Sequence, residues 1–122
     1  MSEQEQIYTP VTRELAELRR SLAPKSAEAF KAFSQSVFAD GALPAKMKQL
    51  IAVAAAHVTQ CPYCIRGHAN AALQHGATPQ EIMEAIWVAA EMRAGSAYSH
   101  SALALDTIAQ GRHDELEKEA LK

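Results

Sequence analysis

The sequence has no long apolar run, no large excess of charge and only two cysteines. No apolar stretch reaches the ~18 residues that span a bilayer, and the polar residues 1–6 lack the charged and apolar order of a signal peptide. We therefore expect a cytoplasmic protein without a membrane partner. The net charge of −2 also argues against nucleic acid as a partner.

The apolar residues are spaced for helices, and no convincing alternating strand is present. Apolar residues make up 48% of the 122, which is typical of one globular domain. Breaks are expected at Pro24, at 40–44, at Cys61-Pro62 and at Gly95-Ser96. The sequence thus predicts an all-α bundle of about six helices, in a single domain spanning 1–122. The helical spacing rests on four groups: Leu15, Leu18 and Leu22; Phe30, Phe33 and Val37; Met47, Leu50, Ile51, Ala54 and Val58; Ile65, Ala69, Ala72 and Leu73.

The clearest helix boundary lies after Gly76, a residue type that often ends helices. Thr78 suits the cap of the next helix, Pro79 its first turn, and Glu81 would close a capping box. The helix from 79 to 93 is apolar on nearly every side, so we expect it to be buried all round. A domain of this size cannot easily cover such a helix alone, and we therefore expect a homo-oligomer.

The two cysteines stand in the tetrapeptide Cys61-Pro62-Tyr63-Cys64. A spacer of two residues allows one thiol to attack a substrate and the other to resolve the product as a local disulfide. Pro62 fits a first helical turn, which would put Cys61 at a helix N-terminus, where the thiolate is favoured. His68 follows Cys64 by four residues and shares its helix face, so it can accept the thiol proton. The pattern predicts thiol-disulfide redox chemistry.

Two alternatives use the same residues. His57, Cys61, Cys64 and His68 are ligand types that zinc prefers, which allows a zinc-held structural module. Such sites usually take two ligand pairs from separate segments, whereas all four residues here lie within 57–68. In the other alternative the dithiol exchanges with partner disulfides or senses oxidants, without acting on peroxides. No signature of a nucleotide, flavin or haem is present, and we expect neither an organic cofactor nor a bound metal.

A wider set of motifs resembles the carboxymuconolactone decarboxylase family, which includes the AhpD alkylhydroperoxidases. The resemblance covers roughly 25–105, which would form the core of the domain. It implies an all-α fold and assembly into trimers or hexamers. It also implies reduction of hydroperoxides by the cysteine pair, whose disulfide a partner protein then reduces. The matching segments are Lys48-Gln49-Leu50-Ile51, Cys61-Pro62-Tyr63-Cys64, His68, Ala72, Gly76-Ala77, Glu81-Ile82 and Glu84-Ala85.

The resemblance also implies roles for the cysteines: Cys64, beside His68, would attack the peroxide, and Cys61 would form the disulfide. The helix-end argument instead makes Cys61 the more stable thiolate. We favour Cys64 as the attacking residue, because a local base acts directly on its thiol while an exposed helix end contributes only ~0.3–1 kcal/mol.

The chain departs from the AhpD pattern at two positions. Gln49 stands where that pattern has a glutamate, and Tyr63 stands where it has a histidine between the cysteines. Gln49 can orient His68 but cannot accept a proton, and Tyr63 can donate a hydrogen bond but is a poor base. We keep Tyr63 among the catalytic candidates and expect weak peroxidase activity.

A substitute proton acceptor would have to come from another helix. Glu84 and Glu91 are seven residues apart and share a helix face, where burial beside apolar neighbours would make either a candidate. Both are equally explained as surface charges or ion-pair partners. His100 is a third candidate for the same pocket.

Overall fold

The computed structural model describes residues 7–122, and all of the regular structure in that range is helical. The helices are α1 (Arg13–Leu22), α2 (Pro24–Phe38), α3 (Ala45–Thr59), α4 (Pro62–Gln74) and α5 (Pro79–Ala120). The all-α class is therefore confirmed. Within residues 7–122, no helix combines the length and the apolarity that crossing a membrane requires.

The boundary between α4 and α5 follows the chemistry expected from the sequence. Gly76 adopts a φ of +90°, which residues with a side chain rarely adopt. The Thr78 hydroxyl accepts the Glu81 backbone N–H at 3.1 Å, and the Glu81 carboxylate accepts the Thr78 backbone N–H at 2.9 Å. This reciprocal pair is a complete capping box, and the predicted start of α5 is confirmed.

The break expected at Gly95-Ser96 does not occur, since α5 continues through it for a total of 42 residues. Residues 7–122 consequently contain five helices, where the sequence suggested about six. A glycine inside a helix costs only about 1 kcal/mol relative to alanine. With no proline after it, the flanking helix-compatible residues Ala94 and Ala97 outweigh that cost.

The core forms where α3 packs against α4 and the first part of α5. Leu50 and Val53 of α3 meet Ala72 of α4 and Ala77 of the following turn, and Val53 is completely buried. Partly buried residues of α5, including Ile82 and Ile86, cover this cluster. Alanines along α3 and α4 permit close helix approach, which fixes α4 firmly against α3.

The expectation that the helix from 79 to 93 is buried all round is wrong for the single chain. Ala89 is the only buried residue of α5, and Trp87 remains 65% exposed. The reason is geometric: α3 and α4 cover one side of α5, and the opposite side has no neighbour within residues 7–122. An apolar surface that includes Trp87, Val88 and Met92 is consequently open.

The first two helices form a peripheral hairpin. Neither α1 nor α2 contains a fully buried residue, and the apolar stripes of both helices remain largely exposed. Phe38, the last residue of α2, is half-buried and reaches α4. The hairpin therefore approaches the core close to the predicted redox residues.

Candidate active site

Cys61 and Cys64 are joined by a disulfide at the start of α4, with their Cα atoms 5.2 Å apart. Gln60 ends α3 in the left-handed conformation, with a φ of 56°, and turns the chain directly into α4. Cys61 is the N-cap of α4, and its Sγ accepts the backbone N–H of Cys64 at 3.2 Å. The predicted position of Cys61 at a helix N-terminus is therefore what the structure shows.

His68 is held by a hydrogen bond to a neighbouring helix. Its Nδ1 lies 2.8 Å from Oε1 of Gln49 in α3, and Gln49 is a buried polar residue, only 6% exposed. With Oε1 as the acceptor, Nδ1 carries the proton and Nε2 of the neutral ring keeps its lone pair. This hydrogen bond agrees with the expectation that Gln49 orients His68.

Phe38 packs on the face of the same imidazole. The two ring centroids are 5.0 Å apart and the rings are inclined by 27°, which is a stacked arrangement. Gln49 therefore holds one edge of the His68 ring while Phe38 covers one face. Sequence reasoning missed Phe38 as a site residue, and its only signal was its place at the end of the apolar stripe of α2.

Cys64 and His68 border one open cavity of about 510 Å³. Cys61 is not among the residues that line it. Two further residues of α2, Ser34 and Gln35, complete the wall opposite α4, and neither was a candidate from the sequence. The full lining is Ser34, Gln35, Phe38, Gln49, Tyr63, Cys64, Gly67, His68 and Ala71.

Tyr63 borders the cavity but its hydroxyl is engaged elsewhere. The hydroxyl donates a hydrogen bond of 2.7 Å to the carbonyl of Thr9, and the Tyr8 ring meets the Tyr63 ring edge-on at 5.9 Å. Tyr63 thereby ties the segment before α1 to the cysteine-bearing helix. A second use of the hydroxyl as proton donor would compete with the Thr9 bond.

The three candidates for a substitute proton acceptor do not line this cavity. Glu84 borders a separate apolar groove between α3 and α5, and Glu91 is exposed on α5. His100 is also exposed, with Nδ1 2.7 Å from the carbonyl of Ser96 one turn earlier. The structure therefore brings neither the two carboxylates nor His100 to His68.

The proposed zinc ligands do not converge either. The two sulfurs are bonded to each other, His68 contacts Gln49, and Nδ1 of His57 lies 2.7 Å from the carbonyl of Val53. Across residues 7–122, the group of potential metal ligands that does come together is His113, Asp114 and Glu117. These lie exposed on successive turns at the end of α5, far along the chain from the disulfide.

Comparison with known proteins agrees with this architecture. The sequence model of the carboxymuconolactone decarboxylase family matches residues 24–107. The chain belongs to this family. The resemblance carried by the motifs around Cys61 and His68 is thereby confirmed, and the matched range begins and ends within a few residues of the expected core.

Two curated relatives of this family member come from bacteria. One is protein 4 of the cox locus of Paracoccus denitrificans, 67% identical over 78 residues that make up 64% of this chain and 70% of the relative. The other is a protein of Cupriavidus necator, 33% identical over 97 residues, or 80% of this chain and 85% of the relative.

Solved structures show the same helical fold. A protein from Methanobacterium thermoautotrophicum superposes with a TM-score of 0.64 at 41% identity, covering 67% of this chain and 92% of that one. A carboxymuconolactone decarboxylase family protein from Legionella pneumophila gives 0.62 at 36% identity, covering 67% and 72%. A family member from Thermotoga maritima, for which involvement in an antioxidative response has been suggested, gives 0.51 at 34%, covering 53% and 67%.

Proposed function

We propose that this family member is a dithiol-dependent hydroperoxide reductase of the AhpD-like kind. The observation that carries the proposal is the Cys61–Cys64 disulfide, one of whose sulfurs belongs to a residue that shares a cavity with the oriented imidazole of His68. A nucleophile, its base and a group that orients the base are the parts required for activated thiol chemistry. The antioxidative role suggested for the Thermotoga maritima relative supports the same direction.

The reaction begins with reduced cysteines. Nε2 of His68 takes the proton of the Cys64 thiol, and the thiolate attacks the terminal oxygen of the hydroperoxide. The O–O bond breaks, the alcohol leaves with the proton that His68 returns, and Cys64 becomes a sulfenic acid. The hydroperoxide is thus reduced by two electrons from the Cys64 sulfur.

Cys61 then resolves this intermediate. Its thiolate attacks the Cys64 sulfur, and the hydroxide of the sulfenic acid leaves and takes a proton from solvent to become water. The disulfide forms without large chain movement, since the two Cα atoms are 5.2 Å apart. The N-terminus of α4 favours the thiolate at Cys61, where the Cys64 N–H already contacts Sγ at 3.2 Å. The two arguments that conflicted in the sequence are thereby compatible: the more stable thiolate belongs to the resolving residue.

Gln49 limits the rate of this chemistry. Its amide orients the His68 ring, but it cannot receive a proton from it, so the proton relay ends at His68. We expect slower peroxide reduction than a glutamate at this position would allow.

Assembly into trimers or hexamers forms part of the proposal. The apolar surface of α5 around Trp87 and the exposed stripes of α1 and α2 are larger than a single chain usually leaves open to water. A second copy of the chain is the simplest cover, because symmetric homo-oligomers bury the same surface on every subunit. We expect the assembly in the cytoplasm, where protein reductants keep thiols reduced.

Stopped-flow mixing of reduced, metal-free protein with an organic hydroperoxide tests the activity. Free thiols are counted over time in the wild type, Cys61→Ser and Cys64→Ser. We expect rapid loss of both wild-type thiols, a persistent sulfenic acid in Cys61→Ser and little reaction in Cys64→Ser. Thiol loss no faster than that of a small free thiol would overturn the proposal.

A second candidate function is dithiol exchange without peroxide chemistry. Gln49 is the observation that favours it, since the amide removes a proton acceptor while leaving the disulfide intact. Slow reaction with hydroperoxide together with fast exchange with a model disulfide would select this function. Fast peroxide reaction would exclude it as the main activity.

A further inference from the structure

We propose that the reductant enters through the same cavity as the peroxide, attacks Cys64, and expels Cys61 as the leaving thiolate. This inference rests on the dithiol and disulfide cycle proposed above, but not on which oxidant forms the disulfide. It assigns a direction to the reductive half of the cycle: the mixed disulfide forms on Cys64, and the helix N-terminus holds the departing charge on Cys61.

Both cysteines are half-buried, and access through the cavity favours Cys64. A thiolate displaces a sulfur in line with the S–S bond, so the attacked sulfur must be reachable from the side opposite the leaving one. Cys64 lines the cavity of about 510 Å³, whereas Cys61 is absent from that lining. Cys61 lies at the junction of α3 and α4, where its backbone N–H is bonded to the Ala56 carbonyl at 3.1 Å.

The leaving group favours the same direction. Disulfide exchange is faster when the departing thiolate is the more stable one. Cys61 departs at the N-cap of α4, where its Sγ already accepts the Cys64 N–H at 3.2 Å and faces the positive end of the helix. Cys64 lies inside the first turn, and as a leaving group it would lack that N-cap position.

His68 supplies the base at the attacked sulfur. The incoming thiol gives its proton to Nε2 of His68, its sulfur bonds to Sγ of Cys64, and the S–S bond breaks with its electron pair leaving on Cys61. A second thiol of the same reductant then attacks the reductant's own sulfur in the mixed disulfide. Cys64 leaves and takes the proton from His68, the other dithiol proton passes to solvent, and the reductant departs as its disulfide. This sequence of steps applies to a reductant that carries two thiols.

Mapping the mixed disulfide tests the direction of attack. Wild-type protein is oxidised with diamide, mixed with excess glutathione, quenched in acid and alkylated with N-ethylmaleimide. Trypsin releases residues 49–66 as one peptide, because Lys48 and Arg66 flank it. Backbone fragmentation before Pro62 then separates Cys61 from Cys64. We expect glutathione on Cys64 and maleimide on Cys61. Glutathione on Cys61, or on both equally, would overturn the inference.

Single-cysteine variants give a second readout that does not depend on trapping. Cys61→Ser and Cys64→Ser are each converted to the thionitrobenzoate mixed disulfide, and its release by dithiothreitol is followed by absorbance. We expect release from Cys64 to be faster by about tenfold or more, because Cys64 lines the cavity together with His68 and Cys61 does not. Equal rates, or the reverse order, would contradict the proposal.

A blocked cavity tests the shared entrance. Ser34 lines the cavity from α2, and Ser36 lies exposed on the same helix outside the lining. Ser34→Trp should slow reduction of the disulfide by dithiothreitol about tenfold, while Ser36→Trp should stay within about twofold of the wild type. Unchanged reduction in Ser34→Trp would exclude entry by this cavity. Because the disulfide is formed with diamide, a failure of peroxidase activity leaves this test intact and distinguishable.

Discussion

Gln49 and His68 lie nineteen residues apart in the chain and are joined by a hydrogen bond of 2.8 Å between Oε1 and Nδ1. The bond connects α3 to α4 and engages Nδ1 of the imidazole, whose ring borders the same cavity as Cys64. The Gln49 amide therefore orients the His68 ring but, unlike a carboxylate, does not make it more basic.

Gln49→Glu should accelerate peroxide reduction. A carboxylate at this position would keep the hydrogen bond and stabilise the imidazolium that forms when His68 takes the thiol proton, so we expect about tenfold faster loss of the Cys64 thiol. Gln35→Glu is the matched control, because Gln35 borders the same cavity without the bond to His68. If both variants accelerate equally, added charge and not the contact to His68 is the cause.

Phe38→Ala should slow the attack by Cys64 about threefold to tenfold, because His68 would lose the ring that covers its face. The free energy of unfolding should fall by about 1–2 kcal/mol, as expected when a half-buried aromatic side chain is removed. Phe38→Trp should restore the rate, and the ring-current shift of the His68 protons in NMR spectra reports the stack. Phe30→Ala, at a 70% exposed position of the same helix, is the control. A full rate in Phe38→Ala would show that Gln49 alone positions the imidazole.

Tyr63→Phe should leave the peroxide reaction nearly unchanged and loosen the segment before α1. The variant keeps the ring but removes the hydroxyl that donates to the Thr9 carbonyl, a bond worth about 1 kcal/mol. Hydrogen exchange of the amides of residues 8–12 should therefore become faster. Tyr98→Phe, at an exposed position, is the control. A large loss of peroxidase activity in Tyr63→Phe would instead assign the hydroxyl a catalytic role.

Glu81 should make folding stability depend on pH in the acid range. The Lys46 ammonium at 2.9 Å and then the Thr78 backbone N–H hold the pKa of Glu81 below its ordinary value of 4.5. Since the folded pKa is the lower one, this contribution is complete above 4.5 and is lost as the pH falls through the folded value. Urea unfolding of wild type and Glu81→Gln should therefore differ at pH 7 and converge in acid. A difference between wild type and Glu81→Gln that stays constant from pH 7 into acid would contradict the prediction.

Trp87→Lys should dissociate the proposed oligomer. Trp87 is 65% exposed in the single chain. In the proposed oligomer its indole would be buried against a second copy, and replacing it with a charged lysine would remove that apolar contact and place a charge in the interface. Sedimentation velocity should show a smaller species for the variant. Because Trp87 is the only tryptophan, the wild-type emission should also be blue-shifted relative to protein unfolded in urea. A wild-type monomer with emission typical of exposed indole would rule out an interface at this position.

Local features of the site were predictable because they depend on neighbours in the chain. A proline after Cys61 favours a helix start there, and a four-residue separation places His68 on the same face as Cys64. The capping box at Thr78 and Glu81 is equally local. These features follow from backbone geometry over one or two turns, and the structure has each of them.

The error at Gly95 has a different origin. A glycine lowers helix propensity, but it ends a helix only when the chain gains an alternative conformation with its own hydrogen bonds, as happens at Gly76. The expectation of a fully buried α5 failed for a related reason. Apolar composition indicates that a helix surface favours burial. It does not show whether the burying surface belongs to the same chain or to a second copy.

The sequence by itself determined the helical class, the family, and the placement of the two cysteines and His68 on one helix, because helical periodicity and capping act over a few residues. The tertiary structure alone decided which side chains meet that histidine. Phe38 reaches it from α2 and Gln49 from α3, and Thr9 holds Tyr63 from a segment fifty-four residues away. Such pairs depend on how helices pack and on where a loop turns back, and no spacing along the chain encodes them.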